Sequence, residues 1–243
     1  MTFYLNRFTL KTIYHIDLGI TNYNSVWQLQ KSINSLKQYN KCNDLIITNQ
    51  HNHVYTLGKS GDKNHLLLDN ENLKENKISF FEIDRGGDIT YHGPGQLVCY
   101  PLFDLNNYYL DSHRYLRDLE EVIVRTLKEF GIDSRKDEEY TGVWVGEEKI
   151  CAIGIKISRW ITMHGLAFNI NNDLSYFDRI IPCGIFHKGV TSLKKILGRE
   201  INIEDVKNIV IKKFEGVFSV KIEKISLNKL MTYFKVPDFV LNF

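Results

Sequence analysis

A chain of 243 residues, 43% hydrophobic and 25% charged, carries enough apolar material for a core that needs no staples, in one domain or at most two. Its net charge of +2 is too mild for the clustered basic surface of a nucleic-acid binder. The longest apolar stretches fall far short of the ~20 residues that span a bilayer.

The opening "MTFYLNRFTLKTIYHIDLG" lacks a basic region followed by an apolar block and a small-residue cleavage site. It reads as a first strand, and the protein is expected to be cytoplasmic. Residues 24–37 place Val26, Trp27, Leu29, Ile33 and Leu36 at helical spacing, with Asn24 or Ser25 as the cap. "DLIITNQHNHVYTLG" predicts a strand, a polar turn and a second strand ending at Gly58. Residues 112–130 give the clearest helix: Tyr115, Leu116, Leu119, Val122, Ile123, Leu127 and Phe130 share a face, Ser112 caps the start and Gly131 stops it. "GVWVGEEKICAIGIKISRWITMHGLAFNI" predicts three strands with tight turns at Gly146-Glu147-Glu148 and Ser158-Arg159. A further helix covers about 203–215, and "SLNKLMTYF" supplies a short last one. Helices and strands do not alternate regularly, which argues against a doubly wound parallel sheet and for α+β, with helices packed on a mixed or antiparallel sheet. The expected organisation is a single domain over 1–243, with a small C-terminal appendage from about 203 as the one candidate subdivision.

The densest chemistry lies in "DRGGDITYHGPGQLVCYPLFDL", Asp84 to Leu105, where four glycines surround an arginine, a tyrosine and a histidine. Glycine lets a ligand approach the main chain, so Gly86-Gly87 reads as a strand end opened towards a pocket. In an extended segment, Ile89 and Tyr91 point one way and Thr90 and His92 the other. A glycine-rich turn beside a core histidine explains the same letters equally well. No dinucleotide fingerprint and no phosphate loop is present.

Four scattered cysteines give neither a disulfide framework nor a zinc site. Cys99 and Cys151 alternate within apolar strands and read as inert core thiols; Cys42 is polar-flanked and incidental. Cys183, between Pro182 and Gly184, sits in a turn, the way a nucleophile is held over a substrate, though a bystander thiol fits the context as well. A thiol of ordinary pKa, about 8.5, needs a neighbouring cation to ionise at neutral pH. Lys149 is the candidate, beginning a strand that turns apolar at once; a solvated hairpin lysine is the plain alternative. The face Ile150, Ala152, Gly154 is small, and Gly165 and Ala167 alternate alike on the next strand, leaving room for a ligand.

Together, "RGGDITYHGPGQLVCYPLFDL", "KICAIGIKISRWITMHGLAFNI" and "IIPCGIFHKGVTSL", with the earlier "HNHVYTLGKSG", closely resemble the octanoyl-[acyl-carrier-protein]:protein octanoyltransferases, the lipoate-protein ligase B family, from roughly Tyr14 to about Phe218. The resemblance implies a catalytic domain of the biotin/lipoate protein ligase type, a central sheet with surrounding helices. It implies transfer of octanoyl from acyl carrier protein to a lysine of a lipoyl domain, in 2-oxoacid dehydrogenase complexes and the glycine cleavage H protein, with no cofactor, metal, nucleic acid or membrane. By position, Cys183 of Pro182-Cys183-Gly184-Ile185 would be the acyl-thioester nucleophile, and Lys149 the residue that lowers its pKa and moves the proton. Substrate-binding positions would be Arg85, Gly86, Gly87, Asp88, Ile89, Thr90, Tyr91 and His92, then Ala152, Ile153 and Gly154, then Gly165, Leu166 and Ala167; Asp88 falls at a variable position without a role of its own. An ATP-dependent lipoate or biotin ligase on the same fold and a non-catalytic acyl-carrier binder are the rival readings.

Overall fold

The computed structural model describes residues 10–39, 42–181 and 189–234. Chain order runs β1 (Lys11–Thr21), α1 (Tyr23–Lys37), β2 (Leu45–His51), β3 (Val54–Leu57), α2 (Asn70–Glu75), β4 (Ser79–Glu82), β5 (Ile89–His92), β6 (Gln96–Leu102) and α3 (Ser112–Glu129). It continues through β7 (Arg135–Lys136), β8 (Val143–Val145), β9 (Glu148–Ser158), β10 (Ile161–Asn169), β11 (Gly189–Val190), α4 (Leu193–Leu197), α5 (Ile203–Phe218), β12 (Val220–Lys224) and α6 (Leu227–Phe234). The expected α+β class is what forms: a large mixed sheet in the order β12-β1-β2-β6-β10-β9-β8-β7, with β11 beside β9, and a small sheet β4-β3-β5.

One face of the large sheet buries the apolar stripes of α3 and α5. Tyr115, Leu119, Val122, Ile123 and Leu127 interlock there with Val206, Val210, Phe214 and Phe218. The other face takes Val26, Leu29 and Ile33 of α1 with Leu230 and Phe234 of α6, and the small sheet lies over the rest of it. Residues from about 203, read from sequence as a candidate appendage, build into this core, because β12 pairs in parallel with β1 from Lys11↔Val220 to His15↔Lys224.

The predicted helices form with small shifts at their starts. Asn22, not Asn24 or Ser25, caps α1 through its side-chain oxygen on the Asn24 N–H (2.9 Å). Asp111, not Ser112, caps α3 on the Arg114 N–H (2.9 Å). In both cases an Asx side chain earlier in the chain, two positions before Asn24 and one before Ser112, reaches an open N–H of the first turn. The turn between β2 and β3 carries the chain from one sheet to the other, since β2 pairs with β1 and β6 while β3 pairs with β4 and β5. Among the described residues no helix is long and apolar enough to cross a membrane.

A buried charge cluster ties the end of α1 to the strands. Asp44 accepts from Lys37 Nζ (2.6 Å), Lys11 Nζ (2.5 Å), Tyr108 Oη (2.9 Å) and the Asp104 N–H (2.9 Å). Burial pushes its pKa up, but Lys37 and Lys11 together outweigh that and hold it below the ordinary carboxylate value. Asp44→Ala strands Lys37 without its carboxylate in the core and is expected to cost about 3–5 kcal/mol in urea unfolding at neutral pH. Because the folded-state pKa is depressed, this contribution is present above the unfolded value of about 3.9 and fades as pH falls through the folded one. The difference between the variant and the wild type should therefore shrink in strong acid; a constant gap down to that range would contradict the assignment.

Candidate active site

Between the two sheets lies a cavity of about 410 Å³. Its floor is a patch of small side chains, created by register: Gly165 faces Gly154, and Ala167 lies between Ala152 of β9 and Val98 of β6. Its roof is the loop from Arg85 to Asp88 with β5. At Gly154 a side chain is excluded, since a Cβ there would stand 2.9 Å from Arg85 Cδ and 3.1 Å from the Gly86 carbonyl oxygen. Arg85 is buried, its guanidinium donating to the Thr56 carbonyl (2.7 Å), Thr56 Oγ1 (3.0 Å) and the Gly86 carbonyl (3.0 Å). Its methylenes thus lie on the floor and its charge is spent largely on backbone.

Lys149 marks one end. The pairing of β8 with β9 slips between Val143↔Cys151 and Trp144↔Lys149, a bulge that turns both Ile150 and Cys151 into the helical core. Strict alternation would put Ile150 on the cavity face, as the sequence suggested; the bulge removes it and sets Lys149 on the same side as Ala152 and Gly154. The Lys149 stem occupies the space a Gly142 side chain would need, Cδ and Cε each 3.3 Å from such a Cβ. Its ammonium lies 4.7 Å from the centroid of the buried Trp144 ring. Its carbonyl accepts from the Thr191 N–H (3.0 Å), and Val190 pairs with it directly.

Cys183 lies outside the described residues. The described residues on either side of that stretch are Ile181, whose N–H donates to the His65 carbonyl (2.9 Å), and Gly189, which with Val190 lines the cavity beside Lys149. Cys99 and Cys151 are buried thiols with pKa values pushed up by burial, and Cys42 is half-buried, its pKa also raised by burial.

On the other side His92 is on the wall, with the His51 ring 5.8 Å from it. Burial lowers His92 to about 4 and His51 to about 3, so both are neutral at physiological pH. A chain of amides fixes the His92 tautomer. The Thr191 carbonyl can only accept, so Asn169 Nδ2 donates to it (3.0 Å) and Asn169 Oδ1 accepts from Gln96 Nε2 (2.9 Å). Gln96 Oε1 must then accept from His92 Nδ1–H (2.8 Å), which leaves His92 Nε2 bare of a proton. The His92 ring is stacked on Tyr23, centroids 6.0 Å apart. His51 Nδ1 lies 3.1 Å from Asn49 Nδ2 and 3.3 Å from the Thr21 carbonyl oxygen, and its Nε2 is hydrogen-bonded with the Tyr100 hydroxyl (2.7 Å).

The structure brings Lys149, Arg85, Gly86, Gly87, Asp88, Ile89, Thr90, His92, Ala152, Ile153, Gly154, Gly165, Leu166 and Ala167 together around this cavity. Tyr91 is not on the wall. It faces the outer side of β5, stacked 4.7 Å from Tyr176 and bonded through its hydroxyl to His53 Nδ1 (2.7 Å). Asp88 holds His65 Nδ1 (2.5 Å) and the Ile89 N–H (2.7 Å). Sequence reasoning missed Tyr23, Tyr100, Trp144 and His164 as lining residues. Only His164 left a trace, a polar letter inside the apolar strand "ITMHGLAF". Among the described residues, no group of three or more His, Cys, Asp or Glu side chains is placed to hold a metal.

Residues 22–215 match the model of the lipoyl protein ligase A/B catalytic domain family. Similar curated proteins include an octanoyltransferase of Flavobacterium johnsoniae, 48% identical over 223 residues (85% of this chain, 96% of the relative), and one of Christiangramia forsetii, 45% identical over 229 residues (85% and 96%). Among solved structures, a lipoate-protein ligase A bound with ATP superposes with a TM-score of 0.74 at 16% identity (96% of this chain, 98% of that one). A putative lipoate protein ligase of T. acidophilum with bound lipoic acid superposes at 0.68 and 14% (96% and 100%). At such identities the superpositions speak for the fold alone.

The amide chain makes a spectroscopic prediction. Nitrogen-15 NMR should show His92 protonated at Nδ1 and bare at Nε2 from neutral pH down to near pH 4. Gln96→Glu, which places a carboxylate against Nδ1–H, should raise the pKa of that ring. A proton on Nε2 in the wild type would break the assignment. Since His92 and His51 bind protons more readily unfolded than folded, each should also make stability fall with pH from about 6.5, by up to about 1.4 kcal/mol per pH unit.

Proposed function

We propose that this chain, which belongs to the lipoyl protein ligase A/B catalytic-domain family and is an acyltransferase, carries octanoyl from acyl carrier protein to a lipoyl-domain lysine through a thioester on Cys183. The carrying observation is the juxtaposition of Lys149, the strand β11 that follows the Cys183 stretch, and the row of glycines and alanines leading away from them. A straight apolar slot with a cation at its mouth suits an acyl chain whose carbonyl stays by the lysine.

In the first half-reaction the Cys183 thiolate attacks the donor's thioester carbon. The carbon–sulfur bond to the carrier's pantetheine breaks, and that sulfur leaves with a proton supplied from Lys149. In the second, the lipoyl lysine amine attacks the acyl-enzyme, the amide bond forms as the Cys183 carbon–sulfur bond breaks, and the amine's proton passes to Lys149. Thioester exchange is close to balanced and aminolysis runs downhill, so the reaction asks for no ATP and no cofactor beyond the pantetheine on the donor. An ammonium beside a thiol favours the thiolate by Coulomb attraction. The acceptors proposed are lipoyl domains of 2-oxoacid dehydrogenase complexes and the glycine cleavage H protein, in the cytoplasm.

Incubation with octanoyl-acyl carrier protein, without ATP or acceptor, should yield a hydroxylamine-labile octanoyl adduct that maps to Cys183 by mass spectrometry and is absent from Cys183→Ala. No adduct, with octanoate and ATP supporting transfer instead, would assign the chain to the ligases. Lys149→Ala should lower kcat by about 10²–10⁴-fold and shift Cys183 alkylation to higher pH; an unchanged alkylation profile would remove Lys149 from the proton path.

A further inference from the structure

His164 interrupts β10 in an unusual way. Its backbone is left-handed, φ +59°, a region costly to a residue with a side chain and held only where the surroundings demand it. The demand is visible. The His164 N–H donates to Gln30 Oε1 (2.8 Å), and Nε2–H donates to Asp84 Oδ1 (2.8 Å). Asp84 is held in turn by Lys156 Nζ (2.5 Å) and Trp27 Nε1 (3.3 Å). The turn of the backbone brings the ring to the side of the sheet that carries Gly165 and Ala167, where it lines the cavity, and the ring is 2% exposed. Its other nitrogen, Nδ1, is buried without a hydrogen-bond partner among the described residues.

The position along the slot matters. The Lys149 stem runs against Gly142, the neighbour of the residue that pairs with Cys151, which carries its ammonium from its own row towards that of Ala152. His164 pairs with Ile155, three residues beyond Ala152, and three strand steps span about 10 Å. An extended eight-carbon acyl chain, seven C–C bonds of about 1.5 Å in a zigzag, is about 9 Å long. With the carbonyl held at the Lys149 end, its terminal methyl reaches the row where His164 stands. We infer that His164 is the end wall of the acyl slot and sets the chain-length limit of the transferase. A longer chain would have to displace a residue tied at its backbone N–H and at Nε2, and would press hydrocarbon against the buried, unpartnered Nδ1. This rests on the acyl-transfer reading above.

The test compares kcat/KM for hexanoyl-, octanoyl-, decanoyl- and dodecanoyl-acyl carrier protein. The wild type should fall steeply beyond eight carbons, about tenfold or more per methylene. His164→Gly removes the ring and accepts the left-handed backbone without strain. It should raise the decanoyl-to-octanoyl ratio of kcat/KM at least about tenfold, whatever its rate on octanoyl. His164→Asn, also tolerant of that conformation, shortens the wall and serves if the glycine variant melts too low to assay. The inference is overturned by a wild type that takes decanoyl as readily as octanoyl, by variants whose ratio stays at the wild-type value, or by loss shared equally across all lengths. A wild type inactive on octanoyl would instead sink the acyl-transfer reading itself.

Discussion

The cavity depends on three consecutive residues that pin the small sheet over the large one. Asp84 binds Lys156 and His164 of the large sheet and Trp27 of α1; Arg85 lies against Gly154 while its guanidinium holds Thr56; the Gly86 N–H donates to the Ile155 carbonyl (2.9 Å). Each bond fixes the spacing between layers that would otherwise pack face to face and close. Between them, the side chain that would fill the gap is missing at Gly154, where a Cβ would meet Arg85 and Gly86, and minimal at Ala152 and Ala167. The binding space is therefore a consequence of sheet spacing set at one edge and of small residues in register, and neither alone would produce it.

Electrostatically the site is divided. On the His51–His92–His164 side burial lowers all three pKa values, to about 3 and about 4 for His51 and His92, while Asp84 opposes that shift at His164. Arg85, the charge nearby, is largely neutralised by carbonyl oxygens. Asp84 is held well below the ordinary carboxylate range, chiefly by the hydrogen bond from His164, then by Lys156 against the opposing effect of burial. Lys149, by contrast, sits on an aromatic face beside the edge strand β11. A chain with one polar and one apolar end has a single favourable orientation in such a slot, carbonyl to the lysine. Orientation is thus decided before any catalytic step, by desolvation.

Much of this was legible in the sequence, and what was not has a common cause. The run Arg85–His92, the alternating Ala152/Gly154 and Gly165/Ala167, and the helices α1 and α3 are visible because they are local patterns of period two or near four. Most of the misreadings involve distant partners. The β9 bulge is dictated by β8, so a strict alternation misplaced Ile150. The residues "VKIEK" looked peripheral because their partner, β1, begins two hundred positions earlier. Tyr91 was grouped with its neighbours by proximity in the chain, although alternation already sent it to the face opposite Thr90 and His92. His164 gave only a polar letter; its left-handed backbone follows from Gln30 and Asp84, which no local pattern joins to it.

The bulge deserves its place in the mechanism on physical grounds. A lysine on a regular strand next to Ile150 would point into the core that holds Cys151, Val143 and Phe168, where an ammonium is costly without a partner. One extra residue reverses that direction, and the stem then needs the room left by Gly142, whose N–H is anchored by the buried Glu120 carboxylate (2.9 Å). The Lys149 amine is thereby carried on a strand of the large sheet, with its methylenes packed against Gly142 and the residue on the cavity wall. The same displacement sends Ile150 inward beside Cys151, the one thiol of β9, which faces that core with or without the bulge. A single irregularity in strand pairing therefore turns Lys149 from the core to the cavity.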